Sequence, residues 1–286
     1  MRIIRAVTAR PPFVTQLRQA WRDQNSLLCV GLDPDPARFP VGYTAASVFE
    51  FCRVIVDATA QFVCAFKPQA AHFAALGQEN ELARLIAHIH EAHPGIPVIL
   101  DAKRGDIGST ARLYAVEAFE RYDADAVTVN PYLGVESVEP YLEFADRGVV
   151  ILCRTSNPGS AWLQGYPSDD PTFLRVASAA SEWNGNGNLM LVAGATYPED
   201  LAKIRQIVAD MPLLVPGVGA QGGDLAAALH NGCDAQGRGV VINVSRDVLY
   251  AGNDADFADA ASAAAERLRD EIRSLQPQPA AGRAVV

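Results

Sequence analysis

Asp101-Ala102-Lys103-Arg104-Gly105-Asp106 gathers two carboxylates and two cations into six residues, directly after the apolar run 98–100. If that run is a strand, residues two apart face the same side, so Asp101 and Lys103 share a face as long as strand geometry persists to Lys103. A carboxylate beside an ammonium group in a cleft can move a proton or stabilise developing negative charge. The same pattern also fits an ion pair closing a strand, with Asp106 as the N-cap of a helix starting near Gly108. Two further positions weigh toward chemistry. Lys67 in Phe66-Lys67-Pro68 and Asp33 in Gly31-Leu32-Asp33-Pro34 end earlier apolar runs. Acids and ammonium groups alternating in one pocket are costly to desolvate unless fully paired, and such arrays cluster at functional sites.

A second constellation is Pro216-Gly217-Val218-Gly219-Ala220-Gln221-Gly222-Gly223-Asp224. Its Gly-x-Gly-x-x-Gly matches a dinucleotide fingerprint only superficially, because it follows a late strand and the next strand ends in Asn, Ser and Arg. A phosphate-gripping loop fits better, with Gln221 donating from the loop and Arg246 forking onto phosphate oxygens. A structural glycine turn is the alternative. In Thr155-Ser156-Asn157-Pro158-Gly159, Ser156 offers a donor and an acceptor suited to the polar edge of a planar ring, although turn chemistry also explains the segment. His88, His90 and His93 invite a metal reading. Positions 88 and 90 cannot share a helical face, so a solvated helix end is the reading preferred. Five cysteines without Cys-x-x-Cys spacing predict neither a disulfide framework nor a zinc site.

These residues need a frame. Apolar runs at 27–31, 62–66, 98–100, 126–129, 149–153, 189–192, 213–215 and 240–244 are short, rich in β-branched residues and flanked by Gly or Pro, as buried strands are. Between them Val48, Phe51, Cys52, Ile55 and Val56, and then Leu82, Leu85, Ile86 and Ile89, recur with helical period. An Ala-rich helix is predicted over 257–272. Eight strand–helix units predict an α/β fold, a single (β/α)8 barrel, with an open doubly wound sheet as the competitor. Asp33, Lys67, Asp101, Asn130, Arg154, Thr196, Gly217 and Ser245 all fall at or just beyond the C-terminal ends of the runs. In a barrel those ends converge on one mouth. The domain is expected to span 1–286, with a peripheral segment over about 1–12 and a flexible tail over about 276–286. The long connection 155–188 is placed to be a lid, or else decoration or an interface.

Bulk properties exclude several classes. A formal charge of −9 argues against a nucleic-acid partner. No apolar run reaches bilayer length and the N-terminus lacks a secretory apolar core, so the expectation is a cytoplasmic protein without a membrane partner.

The segments VGLDPDP, FKPQAAHF, DAKRGDIGSTA, VTVNPYLG, TSNPGS, PGVGAQGGD and NVSR, in that order from about Val30 to Arg246, resemble the orotidine 5′-phosphate decarboxylase family in its longer, type 2 branch. The resemblance implies conversion of orotidine 5′-phosphate to uridine 5′-phosphate and CO2, the last step of UMP biosynthesis. Lys103 is then the general acid that protonates the C6 carbanion, and Asp101 sits near the departing carboxylate. Lys67 holds Asp101 and ribose hydroxyls, and Asp33 binds ribose. Ser156 recognises the base, while Gln221 and Arg246 grip phosphate. Asp106 and Thr110 match positions that reach into a neighbouring subunit's site, which implies a homodimer. The family pattern implies no metal and no cofactor, and gives no role to Asn130 or Arg154. The rival readings are a Mg-dependent sugar-phosphate decarboxylase or aldolase and a non-catalytic barrel that binds a phosphorylated nucleotide.

Overall fold

A computed structural model describes residues 10–219 and 222–278. Eight parallel strands run in the order β2-β1-β8-β7-β6-β5-β4-β3. They are β1 (Leu28–Leu32), β2 (Ala65–Pro68), β3 (Ile99–Arg104), β4 (Ala126–Val129), β5 (Gly148–Arg154), β6 (Leu189–Ala193), β7 (Leu213–Pro216) and β8 (Val240–Val244). Between β2 and β3 the sheet closes through the isolated parallel bridges Phe66↔Val98 and Gln69↔Asp101, with Phe66 N donating to Pro97 O at 3.1 Å. The result is the expected barrel. Its strands are buried on both faces, which is why they read as unbroken apolar runs rather than alternating ones. One boundary differs: Phe62 belongs to a short 3-10 turn, Ala60–Phe62, and β2 begins at Ala65.

The helical faces follow the spacing of the apolar residues. Val48, Phe51, Cys52, Ile55, Val56 and Thr59 form the buried face of the helix Val48–Thr59, and Leu82, Leu85, Ile86 and Ile89 that of Glu79–Ala92. The last helix, Phe257–Leu275, buries Ala261, Ala264 and Ala265 and packs against Val48–Thr59. Residues 276–278 lie against the turn at Gly237, where Gln276 donates to the carbonyl; the rest of the expected tail, and residues 1–9, lie outside the described residues.

The base of the barrel is plugged. The helix Phe13–Asp23 starts where Phe13 N donates to Asp146 O at 2.9 Å, and its ring lies over Gly148, where an added Cβ would stand only 2.2 Å from Phe13 Cδ1. Beside it Asp125 is buried and accepts from Val98 N at 2.8 Å and His90 Nε2 at 2.9 Å. Burial alone would raise its pKa, but the His90 hydrogen bond and the Arg10 charge outweigh that and hold it low. With the base sealed, the open end is the C-terminal mouth.

The sheet register breaks twice, both times at that mouth. β3 shifts on β4 between Leu100 and Arg104, and β5 shifts on β6 between Leu152 and Arg154. Irregularities of this kind re-aim side chains, and here they decide where Lys103 and Arg154 point.

Candidate active site

Lys67, last but one in β2, is buried, and its ammonium lies 2.7 Å from Asp101 Oδ2. The other oxygen, Asp101 Oδ1, receives the Lys103 ammonium at 2.6 Å and the Thr128 hydroxyl at 3.0 Å. Burial would push the Asp101 carboxyl upward, but the Lys67 and Lys103 ammonium charges overcome it and hold the group well below the usual carboxylate range. Burial would likewise lower Lys67, yet the charges of Asp101 and Asp33 keep it above its ordinary value. Both groups are therefore ionised at neutral pH. Asp33 follows β1 directly, and its Oδ1 is buried without a hydrogen-bond partner among the described residues.

Regular strand alternation is not what joins Asp101 to Lys103. Lys103 has φ +47°, in the left-handed region that side chains rarely adopt, and the register break falls around it. The long side chain returns from this bulge to meet Asp101. Asp106 is not an N-cap either: Ile107 holds that position, and Asp106 Oδ1 accepts from Ile107 N at 2.8 Å.

Asp33, Lys67, Asp101, Lys103 and Ser156 line one cavity of about 570 Å3 at the mouth. Adjoining it, and sharing Asp33, Pro216 and Asn243, is a smaller hollow of about 100 Å3 lined by Arg246, Ser245 and the start of the glycine loop. The larger cavity is lined by charged, polar and apolar side chains together, Leu152, Val192 and Leu214 among the last, and the smaller one offers the Arg246 cation. In the glycine loop Gly217 and Gly219 have φ +96° and +74°, and Asp224 caps the following helix by accepting from Ala227 N at 3.0 Å. Gln221 lies outside the described residues.

Ser156 is set by its surroundings. Thr196 donates to its carbonyl at 3.0 Å, and Gly194 lies so close that an added Cβ would sit 2.8 Å from Ser156 Cα. The connection after β5 is folded, with a 3-10 turn at Pro158–Ser160 and a short helix at Ala161–Gln164. Gln164 accepts from Thr155 N at 2.8 Å, which returns the segment to the end of β5. Trp162 and Leu163 also line the cavity, and Trp162 is 79% exposed, an indole left in water at the lip.

The mouth does not collect every residue the sequence places there. Arg154 is buried and turned away from the cavity. Its Nε donates to Asp200 at 2.9 Å, its Nη1 to Ser160 at 2.5 Å, and its guanidinium lies 3.6 Å from the centroid of the Tyr197 ring. Asn130 caps the turn Pro131–Leu133 through Tyr132 N. Asp106 and Thr110 lie outside the cavity of their own chain. Thr128 and Trp162 are site residues that reading the sequence missed. A hydroxyl inside the otherwise apolar run Ala126-Val127-Thr128-Val129 was the available signal for the first.

Other chemistry-bearing groups have structural partners. His88 and His93 both place Nε2 on Asp57 Oδ1, at 2.7 and 2.9 Å, while Arg53 takes Oδ2 at 2.8 Å. This clasp joins two helices, with three donors on one carboxylate; His90 faces the opposite way, toward Asp125. Cys29 adjoins the charged wall, but burial pushes its thiol up to about 12, so it stays protonated.

A family model described as "Orotidine 5'-phosphate decarboxylase / HUMPS family" matches residues 26–261. The orotidine 5′-phosphate decarboxylase of Dechloromonas aromatica (strain RCB) is 60% identical over 264 residues, covering 91% of this chain and 98% of its own. That of Ralstonia pickettii (strain 12J) is 58% identical over 268 residues, with 92% and 99% covered. Among solved structures, the OMP decarboxylase of Leishmania donovani matches with a TM-score of 0.81 at 40% identity, covering 92% of this chain and 98% of that one.

Proposed function

The chain belongs to the orotidine 5′-phosphate decarboxylase / HUMPS family and decarboxylates orotidine 5′-phosphate in pyrimidine biosynthesis, and we propose that Lys103 is the acid that completes the reaction. Breaking the bond between C6 and the carboxylate releases CO2 and leaves an electron pair on C6 with no π-system to spread it. The Lys103 ammonium stabilises that charge and then donates a proton to C6, after which the amine is reprotonated from water. The observation that carries this reading is the array Lys67–Asp101–Lys103, three charged groups joined at 2.7 and 2.6 Å in the wall of the mouth cavity. Asp101 stands beside the departing carboxylate, and like charge there opposes the bound ground state. Lys67 fixes Asp101 and, with Asp33, takes ribose hydroxyls. Ser156 reads the base edge, and Arg246 with Gln221 grips the phosphate in the small annex. Every step has a protein group to perform it, so the reading needs no metal and no cofactor.

The active unit is a homodimer in this reading. Asp106 and Thr110 serve the partner's cavity, which accounts for their lying outside their own. Around them, exposed apolar side chains gather on neighbouring segments: Ile107 and Leu113 on one, Tyr132 and Leu133 on the other, with Asn130 N donating to Arg104 O at 2.7 Å between them. Two variants test both assignments. Lys103→Ala and Asp106→Ala proteins are assayed in EDTA by ultraviolet absorbance of orotidine 5′-phosphate, separately and after subunit exchange. Wild type is expected to turn over in EDTA and Lys103→Ala to be inert. The mixture is expected to regain about a quarter of wild-type sites, because each hybrid dimer holds one site free of both lesions. No recovery in a mixture shown to contain hybrids sinks the shared site, and an active Lys103→Ala sinks its role as the acid.

A further inference from the structure

Thr128 joins the charged array through a neutral hydroxyl that makes three hydrogen bonds. It is 1% exposed, in the middle of β4. Its Oγ1 accepts from Ala102 N at 3.0 Å and from Lys103 N at 2.9 Å, and donates its one proton to Asp101 Oδ1 at 3.0 Å. One hydroxyl supplies one proton and two lone pairs, so all of its capacity is committed to three consecutive residues, 101 to 103. Those are the residues where β3 leaves register with β4 and where Lys103 takes its left-handed backbone. At the break both amides bond to the Thr128 side-chain oxygen, which satisfies two backbone donors at once.

We propose that Thr128 is a positioning residue for decarboxylation, holding the bulge at Lys103 and one oxygen of Asp101 so that the ammonium is fixed in direction before substrate arrives. A backbone in a sparsely populated region persists only when its surroundings over-determine it, and here one side chain fixes both ends of the strained segment. Without the hydroxyl the Lys103 side chain still reaches Asp101, but its backbone is free to return to extended geometry. The ammonium then points elsewhere for part of the time. Thr128 touches no reacting atom in this scheme. It acts through Lys103 and Asp101, and the inference rests on the assignment of Lys103 as the acid.

The test compares Thr128→Val, which keeps the shape and removes the hydroxyl, with Thr128→Ser, which restores it. Lys103→Ala serves as the reference. Expected for Thr128→Val is a fall in kcat of about 100-fold, the scale of a slightly misplaced reacting group, with KM within about threefold of wild type. Thr128→Ser is expected to recover most of the rate. The acid limb of the kcat profile should also move toward neutral pH in Thr128→Val, because Asp101 loses a donor to its charged form. A purely structural role lowers the melting temperature or the active fraction but moves neither this split nor the profile; active sites are therefore counted by titration with a tight-binding product analogue. Thr128→Val with wild-type kcat, a loss confined to KM, or a serine variant as slow as the valine one each overturns the proposal. If Lys103→Ala itself turns over, the underlying assignment fails instead, and the two failures are told apart by which variant remains active.

Discussion

Asp101 receives Lys67 on one oxygen and Lys103 with Thr128 on the other, which makes it the residue on which the charged wall turns. Its pH behaviour follows from the direction of each shift. A carboxyl held low in the folded state contributes stability that is complete above the ordinary carboxylate range and is lost only as pH falls through the lower folded value. An ammonium held high contributes below the ordinary lysine range and is lost only as pH rises through the higher folded value. The Lys67–Asp101 pair is thus charged across the whole neutral span. Turnover at saturating substrate should show no ionisation of this pair between about pH 5 and pH 9, and the acid limb should lie below the ordinary carboxylate range. A pH–rate profile with a limb near pH 6 in kcat would falsify the assignment of an already ionised Asp101. Replacing Lys67 by Met leaves the buried carboxylate with one ammonium on its exposed side, and is expected to lower kcat and to raise that limb together.

The two register breaks at the mouth have opposite outcomes, and the difference lies in what each element meets. The bulge in β3 sends a cation into the cavity; the one in β5 sends a cation out of it. Arg154 braces the loop that carries Ser156 by joining Ser160 to Asp200 and lying over Tyr197. Arg154→Ala is therefore expected to raise KM about tenfold or more with a smaller effect on kcat, checked by steady-state kinetics and by the affinity for product. Lysine should rescue poorly, since a point charge cannot fork to two partners and stack at once. This contrast also marks how far the sequence was legible. Burial on both faces makes parallel strands announce themselves, so all eight were placed within a few residues, and with them the level at which Lys67, Asp101 and Arg154 leave the sheet. Side-chain direction at that level was not legible: beyond a bulge the two-residue alternation fails, and nothing in Leu152-Cys153-Arg154 distinguishes inward from outward. Thr128 carries a signal in its hydroxyl, but not one that reveals its partners. Threonine is an ordinary strand former, and its value lies in amides of another strand.

At the scale of the molecule, the base is sealed by Phe13 and the helix behind it, and the mouth is left to the chemistry. In the proposed homodimer, the exposed apolar face beside Asp106 is buried against its copy. Leu113 is 67% exposed, and Leu113→Glu should leave a folded barrel that sediments as a monomer. If the site is shared as proposed, turnover should fall with it, because each cavity then loses the partner's Asp106. Analytical ultracentrifugation with a parallel assay separates this from a monomer that retains full activity, which would remove the need for a dimer. Barrel closure carries a last consequence. β2 and β3 meet through isolated bridges rather than a continuous ladder, and the Lys67–Asp101 pair spans that junction. The most sparsely bridged stave joint in the barrel is thus riveted by Lys67 and Asp101. Anything that separates Lys67 from Asp101 therefore also loosens the joint between the two strands that carry them.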